Sequence, residues 1–399
     1  MGTRLGPHPP PAPVASLNYR MPQTTIVLVI DRLSSGFLGP YGNTWVETPA
    51  FNYLASRGEL YERCLSDALD LRDAYRALFR GKHPLSLEPS ADTNSPSDLW
   101  SEFYGGRKSC FVTDEPELVG QEFVELFELL HIRDEPTERA NRLQDTQFAK
   151  LLGAANKWMQ SNASEPSLVW IHASALNRWW DGPLEARFSF AEEDDPLPPE
   201  FLEAPNLALS SDPDPDEKLG FAHAYAGEVL LIDTALQGFL DDLERVSDDV
   251  TFAIGSTRAY PLGEHQQVGG DNLYAETTHV PWIISRSASN ESRRSQDLLQ
   301  PHQWLSTLVS DRVPTSIGDR ALSVHDNNMT FHTPVWSLVT VGEARHLYAK
   351  PDDRWDFNDV SDVCPNMEEL IEARENYVAW LGNKAELSSL PETLVERWE

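Results

Sequence analysis

The segment that most narrows the fold of this chain is TTIVLVID, residues 24–31. An apolar, β-branched run without alternation predicts a strand covered on both faces, as in the interior of a parallel sheet. The run ends in Asp31, at the C-terminal edge where open α/β sheets bind ligands. Runs over residues 108–112, 167–172, 250–254 and 280–284 predict further strands. Helices are predicted over 48–58, with Thr48 as N-cap, Pro49 at the first position and Gly58 as C′ stop, and over 71–79, stopped by Gly81 and Pro84. Helical periodicity also marks 122–130, 146–159 and 221–246, while 85–100 and the acidic, Pro-rich 192–217 read as loops. Strands separated by helices predict an α/β fold with a mixed, mostly parallel sheet flanked by helices. Short strands at 335–341 and 346–349 and a helix at 368–381 predict a smaller C-terminal α+β domain. The expected organisation is a disordered Pro-rich leader (1–22), a main domain (23–320) and a small domain (321–399).

Charge restricts the partners. The 399 residues carry 32 Lys+Arg against 63 Asp+Glu, a formal net charge of −31. Phosphate polyanions and anionic membrane surfaces are repelled by such a chain, so neither nucleic acid nor membrane is an expected partner. Cys64, Cys110 and Cys364 are far apart and form no CxxC, which argues against a disulfide framework and a structural zinc. The apolar run at 26–30 is too short to span a bilayer. The leader lacks the apolar core of a secretory signal, so the cytoplasm is the expected compartment and either Met1 or Met21 the start.

Several ordered segments carry a resemblance. They are IDRL at 30–33, LGPYGN at 38–43, TP at 48–49 with Leu54 and Gly58, and RGKHP at 80–84. Further on come the helix holding Tyr225, Asp233 and Leu240, then LGEH at 262–265 and LYAETTHVP at 273–281, and a tail at 346–359. Together they resemble the sulfatase family of the alkaline-phosphatase superfamily over roughly residues 23–385. The resemblance implies a divalent metal held mainly by carboxylates, calcium or magnesium. It also implies a Cys or Ser nucleophile in C/S-x-P-x-R, converted to formylglycine, and Lys and His groups that bind the sulfate and protonate the leaving group.

Carried over residue by residue, most of that apparatus is replaced. Asp31 matches the first metal carboxylate, but the next acid is Arg32. The nucleophile position falls on Leu71, with Asp73 and Tyr75 where the motif has Pro and Arg. The "GKWH" strand end reads Thr113-Asp114-Glu115-Pro116. A family His falls near Asn177, the "SDHG" ligands read Ser256-Thr257-Arg258-Ala259, and a family Lys falls on Gly270. The resemblance therefore implies a sulfatase-like protein without sulfuric-ester hydrolysis, without a required cofactor, and with a binding or regulatory role. Its partner would be another protein or a small anionic or sulfated ligand. Arg32 or Arg258 is expected to pair with Asp31, and Arg32, Arg72 and Arg258 together could hold an anion. The alternative is an active sulfuric- or phosphoric-ester hydrolase with a non-standard site and calcium or magnesium. It would draw on Asp31, Asp70, Asp73, Glu264, His265 and His279, with Asp73 and His265 as an acid–base pair.

Overall fold

The computed structural model describes residues 23–87, 98–287, 289, 291–309 and 318–396. The leader expected at 1–22 and residues 88–97 of the predicted loop lie outside them. In chain order the strands that matter are β1 Thr24–Ile30, β2 Gly58–Leu65, β3 Lys108–Thr113, β4 Glu128–His131, β5 Ser167–Ala173, β6 Val250–Gly255, β7 Trp282–Arg286, β8 Arg293–Leu299, β9 Ala321–His325, β10 Asn328–His332, β11 Trp336–Val341 and β12 Ala344–Ala349. The main helices are α1 Pro49–Ser56, α2 Leu71–Arg80, α3 Asp98–Tyr104, α4 Gln147–Ser161, α5 Pro215–Val246, α6 Trp304–Val309 and α7 Met367–Leu381.

The large sheet runs β8-β2-β7-β6-β1-β5-β3-β4, and among these eight only β7 opposes its neighbours. The fold is therefore a mixed, mostly parallel sheet between helical layers. β1 lies in its middle, paired in parallel with β5 and β6, and strand parity divides its side chains. Ile26, Leu28 and Ile30 enter the apolar layer of α1, α4 and α5. Val27 and Val29 enter the opposite layer with Leu71 and Tyr75 of α2 and Trp304 of α6. Each such fully buried aliphatic side chain contributes roughly 1.5–3 kcal/mol. β9 to β12 form a separate antiparallel sheet, covered by α7 through Leu322, Phe331, Leu338, Leu347 and Leu370. No helix among the described residues is long and apolar enough to cross a membrane.

Several local readings change. Gly58 does not end α1 but begins β2, where an added Cβ would overlap the Ile284 carbonyl of the neighbouring strand. Thr48 stands at the N-cap position without capping; its hydroxyl accepts from Gly39 N at 2.8 Å. The amides of Ala50 and Phe51 instead donate to Asp233 of α5, at 3.2 and 3.1 Å. The helix expected over 122–130 is a single 3-10 turn followed by the edge strand β4, and α3 begins at Asp98, within the last three residues of the expected loop 85–100. The acidic stretch 192–217 does not stay a loop to its end, because α5 begins at Pro215 behind an Asp214 cap.

Candidate functional site

The site lies where β1, β5 and β6 end together. Ile30 pairs with Ala173, and Asp31 donates its amide to the Ala173 carbonyl at 2.9 Å. The parity that turns Val27 and Val29 toward α2 carries the Asp31 side chain to the same side, fully buried. β6 ends one register step earlier, with Gly255 opposite Val29, so the following residues reach Asp31 from the adjacent strand. Arg258 does so as a fork: Nε donates to Oδ1 and Nη2 to Oδ2, each at 2.9 Å. Its Nη1 donates to the Leu69 carbonyl, 2.8 Å away, just ahead of α2. Burial alone would raise the Asp31 carboxyl, but the charge and hydrogen bonds of Arg258 outweigh it and hold Asp31 below the usual carboxylate value. For Arg258 burial works downward, and the charge of Asp31 reverses it.

Arg32 does not join that pair. It holds a left-handed backbone, φ 66°, which costs a non-glycine residue about 1–3 kcal/mol. The conformation is held from several sides. Its carbonyl accepts from the Tyr225 hydroxyl at 2.8 Å, and its Nε donates to Asn177 Oδ1 at 3.1 Å. Nη2 donates to Asp271 Oδ1 at 2.7 Å, and Nη1 reaches the Gly270 and Ala259 carbonyls. Burial, followed by the charge of Arg258, lowers the Arg32 pKa. Asp271 also lies 3.7 Å from Arg258 Nη1. Two guanidinium groups thus face two carboxylates, Asp31 and Asp271. Asp271 was not singled out in the sequence, although it directly follows Gly270.

On the α2 side, Leu71 is the first helical residue and is packed into the core, so its position presents only hydrocarbon. Tyr75 is buried one turn on, its hydroxyl 2.7 Å from His172 Nδ1 and accepting from Trp170 Nε1 at 3.4 Å. The Tyr75 hydroxyl engages Nδ1 and leaves Nε2 as the second polar atom of the His172 ring. That nitrogen is buried and unpartnered. Burial pushes the imidazole down to about 4, so it is neutral at pH 7. His172 was also missed; its only signal was a lone polar ring inside an apolar strand. Asp114 accepts from both the amide and hydroxyl of Ser174, at 2.8 Å each, and burial raises its pKa. Burial also raises neighbouring Glu115, to about 7. Thr257 is buried beside Arg258 with its hydroxyl unpartnered.

Other predicted participants stay outside. Asp73 is exposed and ion-paired with Arg76, while Asp70 caps α2. Arg72 is exposed, so the expected trio of arginines reduces to Arg32 and Arg258. His265 binds Glu276 Oε1 through Nδ1 at 2.7 Å, faces the Asp356 carbonyl, and stacks on Tyr274 at 3.6 Å. The Asp73–His265 acid–base pair therefore does not form. Glu264 accepts from the Leu262 amide, and His279, pushed down to about 3 by burial, faces the Glu62 carbonyl.

Known families decide what this scaffold is. The chain matches Sulfatase over residues 99–310, more than half its length. It belongs to the sulfatase family. Solved structures agree at the level of fold. The phosphonate monoester hydrolase of Agrobacterium radiobacter superposes with a TM-score of 0.69 at 14% identity, over 95% of this chain and 100% of that one. That of Silicibacter pomeroyi gives 0.70 at 12%, over 90% and 95%. A 2-O GAG sulfatase gives 0.65 at 14%, over 92% and 93%. No curated protein sequence matches significantly.

A divalent cation is the group this family would place beside Asp31. The donor set here does not fit one. Both Asp31 oxygens are taken by Arg258, and Arg32 adds a second fixed positive charge to the same pocket. Like unit charges about 4 Å apart cost roughly 4 kcal/mol even at an effective dielectric of 20. Among the described residues no group of three or more His, Cys, Asp or Glu side chains converges as a metal site.

Proposed function

We propose that this chain is a non-hydrolytic member of the sulfatase family whose retained scaffold serves binding or regulation. The observation that carries the reading is the Arg258 fork on Asp31. A guanidinium stands where a metal-dependent hydrolase needs an accessible carboxylate, and the nucleophile position is the hydrocarbon of Leu71. Ester hydrolysis needs both an activated oxygen and a counter-charge for the leaving anion. The purified chain should hold no stoichiometric calcium or magnesium and should turn over aryl sulfates, phosphate esters and phosphonate monoesters no faster than buffer. Saturable, metal-dependent turnover that Asp31→Ala abolishes would reverse the reading.

Two buried groups favour an active ester hydrolase with a rebuilt site. Glu115, raised to about 7, is suited to exchange protons near neutrality, and His172 Nε2 is buried and unpartnered. On that reading Glu115→Gln abolishes a turnover that the wild type displays.

A further inference from the structure

Exposed apolar side chains gather in one place. Among the described residues fourteen large hydrophobic side chains are more than a third exposed, and five of them are Trp45, Phe188, Leu197, Phe201 and Leu219. Contacts tie Trp45, Phe201 and the segment that carries Leu197 to the first half of α5. Trp45 lies 5.2 Å from the Phe190 ring, 6.1 Å from Phe37 and 5.7 Å from His223 of α5. Phe201 stacks on Phe221, which lies between Leu219 and His223 in the sequence of α5, with 6.2 Å between ring centroids. Between these anchors residues 195–201 run along α5: Asp195 sits 3.7 Å from His223, and Pro199 covers Gly220. Trp45 is presented by a turn closed by Asn43, whose side-chain oxygen accepts from the Trp45 and Val46 amides at 2.9 and 2.8 Å.

Lys218 adjoins Leu219, but most of the charge beside this surface is negative. Residues 192–217 contain ten carboxylates and no Lys or Arg. An aromatic and aliphatic patch inside an acidic rim is a protein-docking surface rather than scattered exposed residues. A second copy of a chain with net charge −31 would bring like charges together. We propose that this face docks a basic amphipathic helix of a partner protein, its apolar stripe on Trp45, Phe188 and Phe201 and its cations on the 192–217 carboxylates. The inference stands whether or not the site beside Asp31 turns over an ester.

The test uses a labelled amphipathic peptide of Lys and Leu, about 18 residues long, and a scrambled peptide of the same composition without an apolar face. Fluorescence anisotropy with the full chain should show the amphipathic peptide binding about tenfold more tightly than the scrambled one. Trp45→Ala and Leu197→Glu should each abolish that difference; Leu197, 81% exposed, is replaced without disturbing the core. Replacing Glu192, Glu193 and Asp194 by Ser should weaken the binding and flatten its salt dependence. Leu126→Ser, on an exposed residue elsewhere, is the control that changes nothing. Equal binding of both peptides, or indifference to Trp45→Ala and Leu197→Glu, overturns the proposal. A dimer in sedimentation that Trp45→Ala dissociates overturns it too, in favour of a second copy.

Discussion

Arg258 and Asp31 meet from the ends of adjacent parallel strands, with two parallel N–H···O bonds of 2.9 Å, Asp31 fully and Arg258 almost fully buried. Removing one partner leaves the other charged and desolvated. Asp31→Asn should therefore destabilise the fold by about 3–5 kcal/mol, read as a fall in denaturation midpoint. An isosteric apolar pair replacing both residues should cost less than the single change. An unaltered midpoint in Asp31→Asn would contradict the pairing.

The same pair predicts a metal response. The wild-type melting temperature should not move with calcium, magnesium or chelator. Replacing Arg32 and Arg258 together by Asn leaves Asp31 and Asp271 without their guanidinium partners. That variant should melt lower and recover part of the loss on adding calcium, since a ligand at about 100 times its Kd stabilises by about 2.7 kcal/mol. A wild-type melting temperature that rises with calcium would contradict the assignment of Arg258 as the cation of this site.

Glu115 sets a pH dependence. Burial raises its carboxyl from 4.5 to about 7, so between those values the folded state binds the proton and the unfolded state releases it. Its contribution to stability is present at low pH and lost as the pH rises through about 7. Glu115→Gln removes that loss. The variant should gain on the wild type by up to about 3 kcal/mol between pH 4.5 and 8, at roughly 1.4 kcal/mol per pKa unit. Denaturant titrations at both pH values measure it, and an equal difference at the two would contradict it.

Gly58 tests the packing of the sheet. A Cβ there meets the carbonyl of Ile284 on β7, a backbone atom that cannot swing away. Gly58→Ala should cost about 1–3 kcal/mol or more, while Gly153→Ala, with open space around it on α4, should be neutral or slightly stabilising. Thermal unfolding of the two variants gives the comparison.

Strands buried on both faces were legible because only uninterrupted apolar runs survive there, and β1, β5 and β6 have them. β2 and β8 escaped because they carry charge. Glu59 pairs with Arg286 across the sheet, and β8 is an edge strand whose Arg293 and Arg294 face water. β4, read as helix, is a short edge strand, where four residues hold too little periodicity to decide.

Residue identity alone determined that Leu71 carries no nucleophilic atom and that Arg32 and Arg258 bring fixed positive charge, because these are facts of covalent chemistry. Which arginine pairs with Asp31 was decided only by the fold. β1 and β6 run parallel with Val29 opposite Gly255, which brings Arg258 onto the carboxylate. The left-handed turn at Arg32 directs its guanidinium to Asp271 and Asn177 instead. These contacts join residues more than a hundred positions apart, and strand register, which no local pattern encodes, sets them.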